Sequence, residues 1–148
     1  MGGRRPPIQD IGGELEEKAY RRFIASRRAC LMSNAKWVKV LLAVARSPVR
    51  PLRVRWTTWN SSEENEFSFW DEWPRDFDVE PQRFADGRFA LLDYRWIIEA
   101  FIPHEFATVA AVGHRTRQDT TQIRALIESL GEVPVEETAD GIAIRAYD

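Results

Sequence analysis

Residues 91–102 read LLDYRWIIEAFI. Tyr94, Trp96, Ile98 and Ala100 fall on one side of an extended chain, and Arg95, Ile97, Glu99 and Phe101 on the other. This is the two-residue period of a strand. With apolar residues on both sides, the run from Leu91 to Ile102 belongs at the centre of a sheet, and the fold is read outward from it.

Upstream, Leu52–Trp59 alternates in the same way, with Leu52, Val54, Trp56 and Thr58 facing one side and Arg53, Arg55 and Thr57 the other, as in a half-buried strand. Two helical patterns precede it. From Glu14 to Leu31, Leu15, Ala19, Phe23 and Ile24 lie opposite an Arg-rich face, with acidic residues in the first turn and basic ones at the end, matching the helix dipole. Ser33 or Asn34 can cap a second helix, in which Trp37, Leu41 and Val44 recur and which Pro48 and Pro51 end. Between the two strands lies NSSEENEFSFWDEWPRDFD, residues 60–78, read as a long, partly irregular connection whose aromatics argue against disorder. Phe67 and Phe69 are spaced for one face of a short strand there.

Downstream, Phe106–Val112 can form a further strand. Asp119 or Thr120 can cap a third helix carrying Ile123, Leu126, Ile127 and Leu130, stopped at Gly131. Val133–Glu137, the Asp140–Gly141 turn and Ile142–Tyr147 read as a closing hairpin. This order defines an α+β fold: one domain with a mostly antiparallel sheet, two N-terminal helices and one later helix packed on it. A chain of 148 residues with 44% hydrophobic content fills one core. Residues 1–12 read as a flexible tail and 13–148 as the domain. No apolar run is long enough to cross a bilayer, and the start has no signal-peptide core, so a soluble, cytoplasmic protein is expected. Translation can begin at Met1 or at Met32, and the helical pattern upstream of Met32 favours the longer chain.

The net charge of -2 conceals a polarity along the chain: residues 1–60 carry +9, residues 61–110 carry -8 and the remainder -3. Either separate surfaces face partners of opposite sign, or the two halves neutralise each other in the fold. The second is the simpler reading. Six tryptophans accompany the charge. Trp37 and Trp96 read as core, whereas Trp56, Trp59, Trp70 and Trp73 stand where an amphipathic ring can be half buried and still meet a partner.

Catalytic signatures are scarce. One cysteine excludes an internal disulfide and a Cys-rich zinc site, and two histidines leave little for multi-His chemistry. His104, His114 and Asp119 contain the ligand types of a metal site but lack a supporting spacing, so surface or loop histidines are the simpler reading and no metal or cofactor is assigned. Cys30 beside Arg27 and Arg28 reads as a small buried thiol rather than a reactive one. Asp71, Glu72, Asp76 and Asp78 contain the groups for an acid/base pair, yet nothing fixes their geometry. Phosphate-cradling loops are absent.

The segment SRRACLMSNAKWVKVLLAVA, residues 26–45, resembles the N-terminal signature of a family of small uncharacterised bacterial proteins, a domain of unknown function. Met32, Asn34, Lys36 and Trp37 match its Met-Asn-Asn-Thr-Lys-Trp-like element, with Ser33 and Ala35 at the other two places. The strand YRWIIEAFI is similar to the family's Glu-Trp-Ile-Glu-Ile-like strand through Trp96 and Ile97, with Arg95 departing and Glu99 one place late. The closing helix and hairpin are similar too, with Ala146 in place of a glycine before Tyr147. The resemblance spans about residues 20–147 and implies a fold and a bacterial source, but no activity.

The resulting expectation is a non-enzymatic protein-interaction domain, an immunity-like role being one form of it. It presents the acidic aromatic segment Glu63–Asp78 to a protein with a basic surface. The expected contact residues are Trp70, Asp71, Glu72, Trp73 and Asp76, with the two tryptophans as anchors. One alternative is a nucleic-acid binder using Arg21, Arg22, Arg27, Arg28, Lys36 and Lys39, with Arg53 and Arg55 beside the tryptophans. A solvated helix face paired with the acidic centre explains the same residues more simply. A second alternative is a small hydrolase using the acidic-loop carboxylates. Partner identity and oligomeric state are not encoded in any motif.

Overall fold

The computed structural model describes residues 17–18, 20–23, 25, 30–60, 65–85, 91–108 and 112–147. The anticipated tail at residues 1–12, and Glu63, Arg27 and Arg28, lie outside them. The architecture is α+β. A five-stranded antiparallel sheet runs in the order β2-β1-β5-β9-β8, built from β1 (Val54–Asn60), β2 (Asn65–Asp71), β5 (Ile97–Pro103), β8 (Val135–Glu137) and β9 (Gly141–Arg145). Two small hairpins flank it, β3 (Arg83–Ala85) with β4 (Leu91–Asp93) and β6 (Glu105–Ala107) with β7 (Arg115–Arg117). No helix among the described residues is long and apolar enough to cross a membrane.

Helix α1 (Asn34–Ala45) starts where the sequence places it, with the Ser33 hydroxyl accepting from the Lys36 amide at 3.1 Å. Its buried face is Trp37, Val40, Leu41 and Val44. That face covers the side of the sheet carrying Trp56, whose ring lies 6.2 Å from Trp37, 5.5 Å from Trp73 and 5.0 Å from Phe84. Helix α2 (Thr120–Glu128), capped by Asp119, packs beside α1 over β8 and β9 through Ile123 and Ile127. At the start of β9, Gly141 is needed for close approach to β5: a Cβ there would collide with the Ile102 carbonyl oxygen.

The other face is covered at one end by the N-terminal helical residues 17, 18, 20–23 and 25. Phe23 stacks on Trp59 at 5.0 Å, Trp59 on Trp96 at 5.3 Å, and Tyr20 meets Trp96 edge-on. The sheet is therefore sandwiched at this end rather than covered on one face only. The helix does not reach Leu31. Cys30 instead bridges to Tyr147, and the Leu31 amide donates to the Ala146 carbonyl at 2.7 Å, so the chain is already extended there. Cys30 is consequently exposed, not buried.

The central run also departs from continuous strand. A 3₁₀ turn at Tyr94–Trp96 separates β4 from β5. In a strand Tyr94 and Trp96 would share a face; a three-residue turn rotates them apart. Tyr94 stacks on Phe84 in the core beneath α1, while Trp96 joins Trp59 on the opposite side. Aromatic demand from both layers outweighs strand periodicity here. A second break follows at once: the β1–β5 register shifts between Thr57 and Thr58, leaving Ile98 as the extra residue of a bulge.

Candidate partner-binding groove

The acidic aromatic segment contains a regular strand, Asn65–Asp71, rather than a wholly irregular connection. β2 pairs with β1 residue by residue, from Val54 opposite Asp71 to Asn60 opposite Asn65. This register fixes where the expected contact residues go. Trp70 lies opposite Arg55, on the face away from α1, with its ring edge-on to Phe101 at 6.5 Å. The guanidinium groups of Arg53 and Arg55 sit 5.5 and 5.7 Å from the Trp70 centroid. Arg53 also lies 5.8 Å from the Phe106 ring, and is thus held between two aromatic side chains from separate hairpins.

Trp70, Asp71 and Glu72 come together along a surface groove of about 370 Å³, with Leu52, Arg53, Phe106, Thr108 and Thr116 as its other walls. Gln118 fixes its floor. The Gln118 side-chain oxygen accepts from the amides of Leu52 and Arg53 at 2.8 and 3.1 Å, and its amide nitrogen donates to the carbonyls of Arg53 and Pro103 at 2.9 and 3.1 Å. One side chain thereby joins the entry of β1, the exit of β5 and the start of α2. The clamp holds Leu52 outward: it is 53% exposed although the alternating pattern counts it among the inward residues.

Trp73 and Asp76 do not belong to the groove. Trp73 is 1% exposed, and its indole donates to the Leu41 carbonyl at 3.1 Å, so it is a core residue and not an anchor for a partner. Flanking charges do not keep a ring at the surface when the neighbouring Trp56 and α1 offer apolar contact on both sides. Trp56 and Trp59 are likewise buried. Asp76 lies on a short 3₁₀ turn, Asp76–Asp78, where Arg46 pairs with it at 3.4 Å. Phe77, in the same turn, is 80% exposed; it is a surface aromatic that the reading of charges and tryptophans passed over.

The charge polarity is partly neutralised inside the fold. Arg46 pairs with Asp76, Arg50 with Glu72 at 3.1 Å and Arg55 with Glu99 at 3.4 Å, each joining the basic first part of the chain to its acidic centre. Arg50 also donates to the Trp73 carbonyl, which fastens the strand end after Asp71. Of the residues offered for nucleic acid, Arg21 pairs with Glu17 at 3.8 Å and Lys36 donates to the Leu31 carbonyl at 3.4 Å. Arg22 and Lys39 are exposed.

His104 and Asp119 line a separate depression of about 500 Å³ with Arg117, Thr120 and Glu137. His114 is elsewhere. The His104 Nδ1 lies 2.6 Å from the Thr120 hydroxyl. Among the described residues no three His, Cys, Asp or Glu side chains gather as a metal-ligand set. No family model matches the chain, and neither a curated protein nor a solved structure matches it.

Proposed function

We propose that this chain is a non-enzymatic protein-interaction domain that receives a partner's side chain in the Trp70 groove. The observation that carries the reading is the pairing of an outward Leu52 with Trp70 and Phe106, in a groove bordered by Asp71 and Glu72. Apolar walls beside carboxylates suit a segment that offers an aliphatic or aromatic side chain next to a basic one. Arg53, held between two rings, gives the floor a fixed positive charge that selects against a second basic group. Masking a basic site, as immunity proteins do for toxins, is one role such a groove fits; a bacterial source and a cytoplasmic location belong to the same reading.

The resemblance to the small bacterial family is part of this proposal and concerns the fold. Of its matching residues, Met32, Trp37 and Ile97, with Tyr147 at the end, are buried and speak to packing, while Asn34 is exposed and Lys36 and Trp96 are half-buried.

The test is affinity capture from a bacterial lysate with the native protein, Trp70→Ala and Leu52→Asp, read by mass spectrometry. A specific partner held by the native protein and lost from both variants, with unchanged circular dichroism, is the expected result. An identical capture profile for all three overturns the groove. A steeply salt-dependent gel shift with single-stranded nucleic acid, lost on Arg53→Ala, would favour the nucleic-acid alternative instead.

A further inference from the structure

The two edges of the five-stranded sheet are built differently. β8 is three residues long, follows Pro134 and carries Glu136 and Glu137, so it offers a short, charged rim. These are the devices that stop an edge from pairing with another chain. β2 lacks most of them, its only charges being Glu66 and Asp71 towards its ends. It runs seven residues, Asn65–Asp71, without proline, lysine or a bulge, and its register with β1 is unbroken along the whole length. Among the described strands only β1 pairs with it. Phe67 projects from its middle, 54% exposed, with its ring 6.0 Å from that of Phe69.

We propose that β2 is a self-association edge: two copies of the chain pair antiparallel through β2, joining their sheets into one ten-stranded sheet about a two-fold axis at Ser68. The occupant is a second copy because the strand is complementary to itself. Antiparallel pairing centred on Ser68 uses all seven residues and puts Ser68 opposite its own counterpart. Phe67 falls opposite the second copy's Phe69, and Phe69 opposite the second copy's Phe67, so the four rings close into one apolar patch on the face that carries α1 and α2. On the other face Glu66 falls opposite the second copy's Trp70, the ring over which Arg53 and Arg55 lie at 5.5 and 5.7 Å. The pairing therefore sets a carboxylate beside an arginine cluster twice, once on each side of the axis. No like charges are directly opposed, because Glu66 and Asp71 meet Trp70 and Asn65 rather than each other. A two-fold interface requires this reciprocity, in which each residue and its partner exchange places. The proposal rests on the strand edge and not on the groove, and either can fail alone.

The test is mass by sedimentation or light scattering on the pure full chain across a concentration series. The expected result is a species of twice the 17.2 kDa chain mass, with Phe67→Lys restoring the monomer. Because Phe67 is exposed in the single chain, that variant keeps the native circular dichroism, and its melting temperature is independent of concentration and equals that of the native protein at dilutions where it is monomeric. In a Cys30→Ser background, Ser68→Cys treated with oxidised glutathione forms a disulfide dimer, since a residue opposite itself has its Cβ atoms about 4.5–5.5 Å apart, within reach of a bridge after slight relaxation. A monomer at every concentration overturns the proposal, including the case in which another protein's strand fills the edge. So does a dimer that survives Phe67→Lys and leaves Ser68→Cys unlinked, for it then forms through another surface.

Discussion

Gln118→Leu is the substitution whose outcome follows most directly from the geometry. Leucine keeps nearly the volume of glutamine and removes both polar ends. Four hydrogen bonds go with them, two accepted from Leu52 and Arg53 and two donated to Arg53 and Pro103. A net contribution of about 0.5–1.5 kcal/mol per bond sets a ceiling near 6 kcal/mol. The real loss is smaller, because Leu52 is exposed and water can replace part of what Gln118 gave to its amide, whereas Pro103 is buried. A loss of about 2–3 kcal/mol is expected, which for a domain near 150 residues lowers Tm by about 4–12 °C. Urea denaturation measures it: the midpoint falls while the slope stays, since the surface exposed on unfolding is unchanged. Partner capture through the groove falls as well, because Leu52 is released. A midpoint within error of the native protein would refute the reasoning, and would mean that the three chain segments hold together without the clamp.

Trp73→Ala separates core from contact surface. It removes a buried ring packed against Trp56 and is expected to cost about 3–5 kcal/mol in the same urea assay; a near-native midpoint would return Trp73 to the list of candidate anchors. At high pH, stability falls through tyrosine ionisation. Burial, with the charge of Glu80 adding to it, pushes Tyr94 up to about 12, and burial followed by the hydrogen bond with Tyr20 raises Tyr147 still further. Both hydroxyls are thus held neutral in the folded protein, the stabilisation is complete below the ordinary tyrosine value near 10, and it is lost as pH rises through the folded values. Tyrosinate absorbance followed in native buffer and in urea checks this, and titration of Tyr94 and Tyr147 near the ordinary value in the native protein would contradict it.

The parts of the fold legible in the sequence are those where one local rule acts alone. Ser33 caps α1 and Asp119 caps α2 because a short polar side chain before an apolar stripe has few other uses. The closing hairpin follows from its turn. The sequence misleads where two layers compete for the same residues. Tyr94 and Trp96 share a strand pattern, yet each serves a different aromatic cluster, and a 3₁₀ turn results. Trp73 stands among charges, which suggests a surface, but its ring fits beneath Leu41. The groove was partly legible: Trp70, Asp71 and Glu72 are visible as an acidic aromatic run, while Leu52 and Phe106 are not, because both are set by Gln118 and by a hairpin distant in sequence.

The ion pairs decide how the charge polarity bears on function. Arg46 with Asp76, Arg50 with Glu72 and Arg55 with Glu99 cross from the basic to the acidic part of the chain, yet most of their charged groups lie at the surface, where such a pair contributes about 0–1 kcal/mol. Their weight is therefore not in stability. They neutralise three charges of each sign, and so weaken without removing the fields that would draw a polyanion to the first part of the chain or a broadly basic protein to its centre. On the proposed reading, recognition is carried by local features in which charge and apolar surface coincide. The Trp70 groove has both, and the β2 edge has an exposed phenylalanine beside a backbone rim that no described strand other than β1 pairs with. A partner of either surface must match its shape as well as its sign. For the same reason binding at the groove should depend on Trp70 and Leu52 far more than on any single arginine of the N-terminal helix.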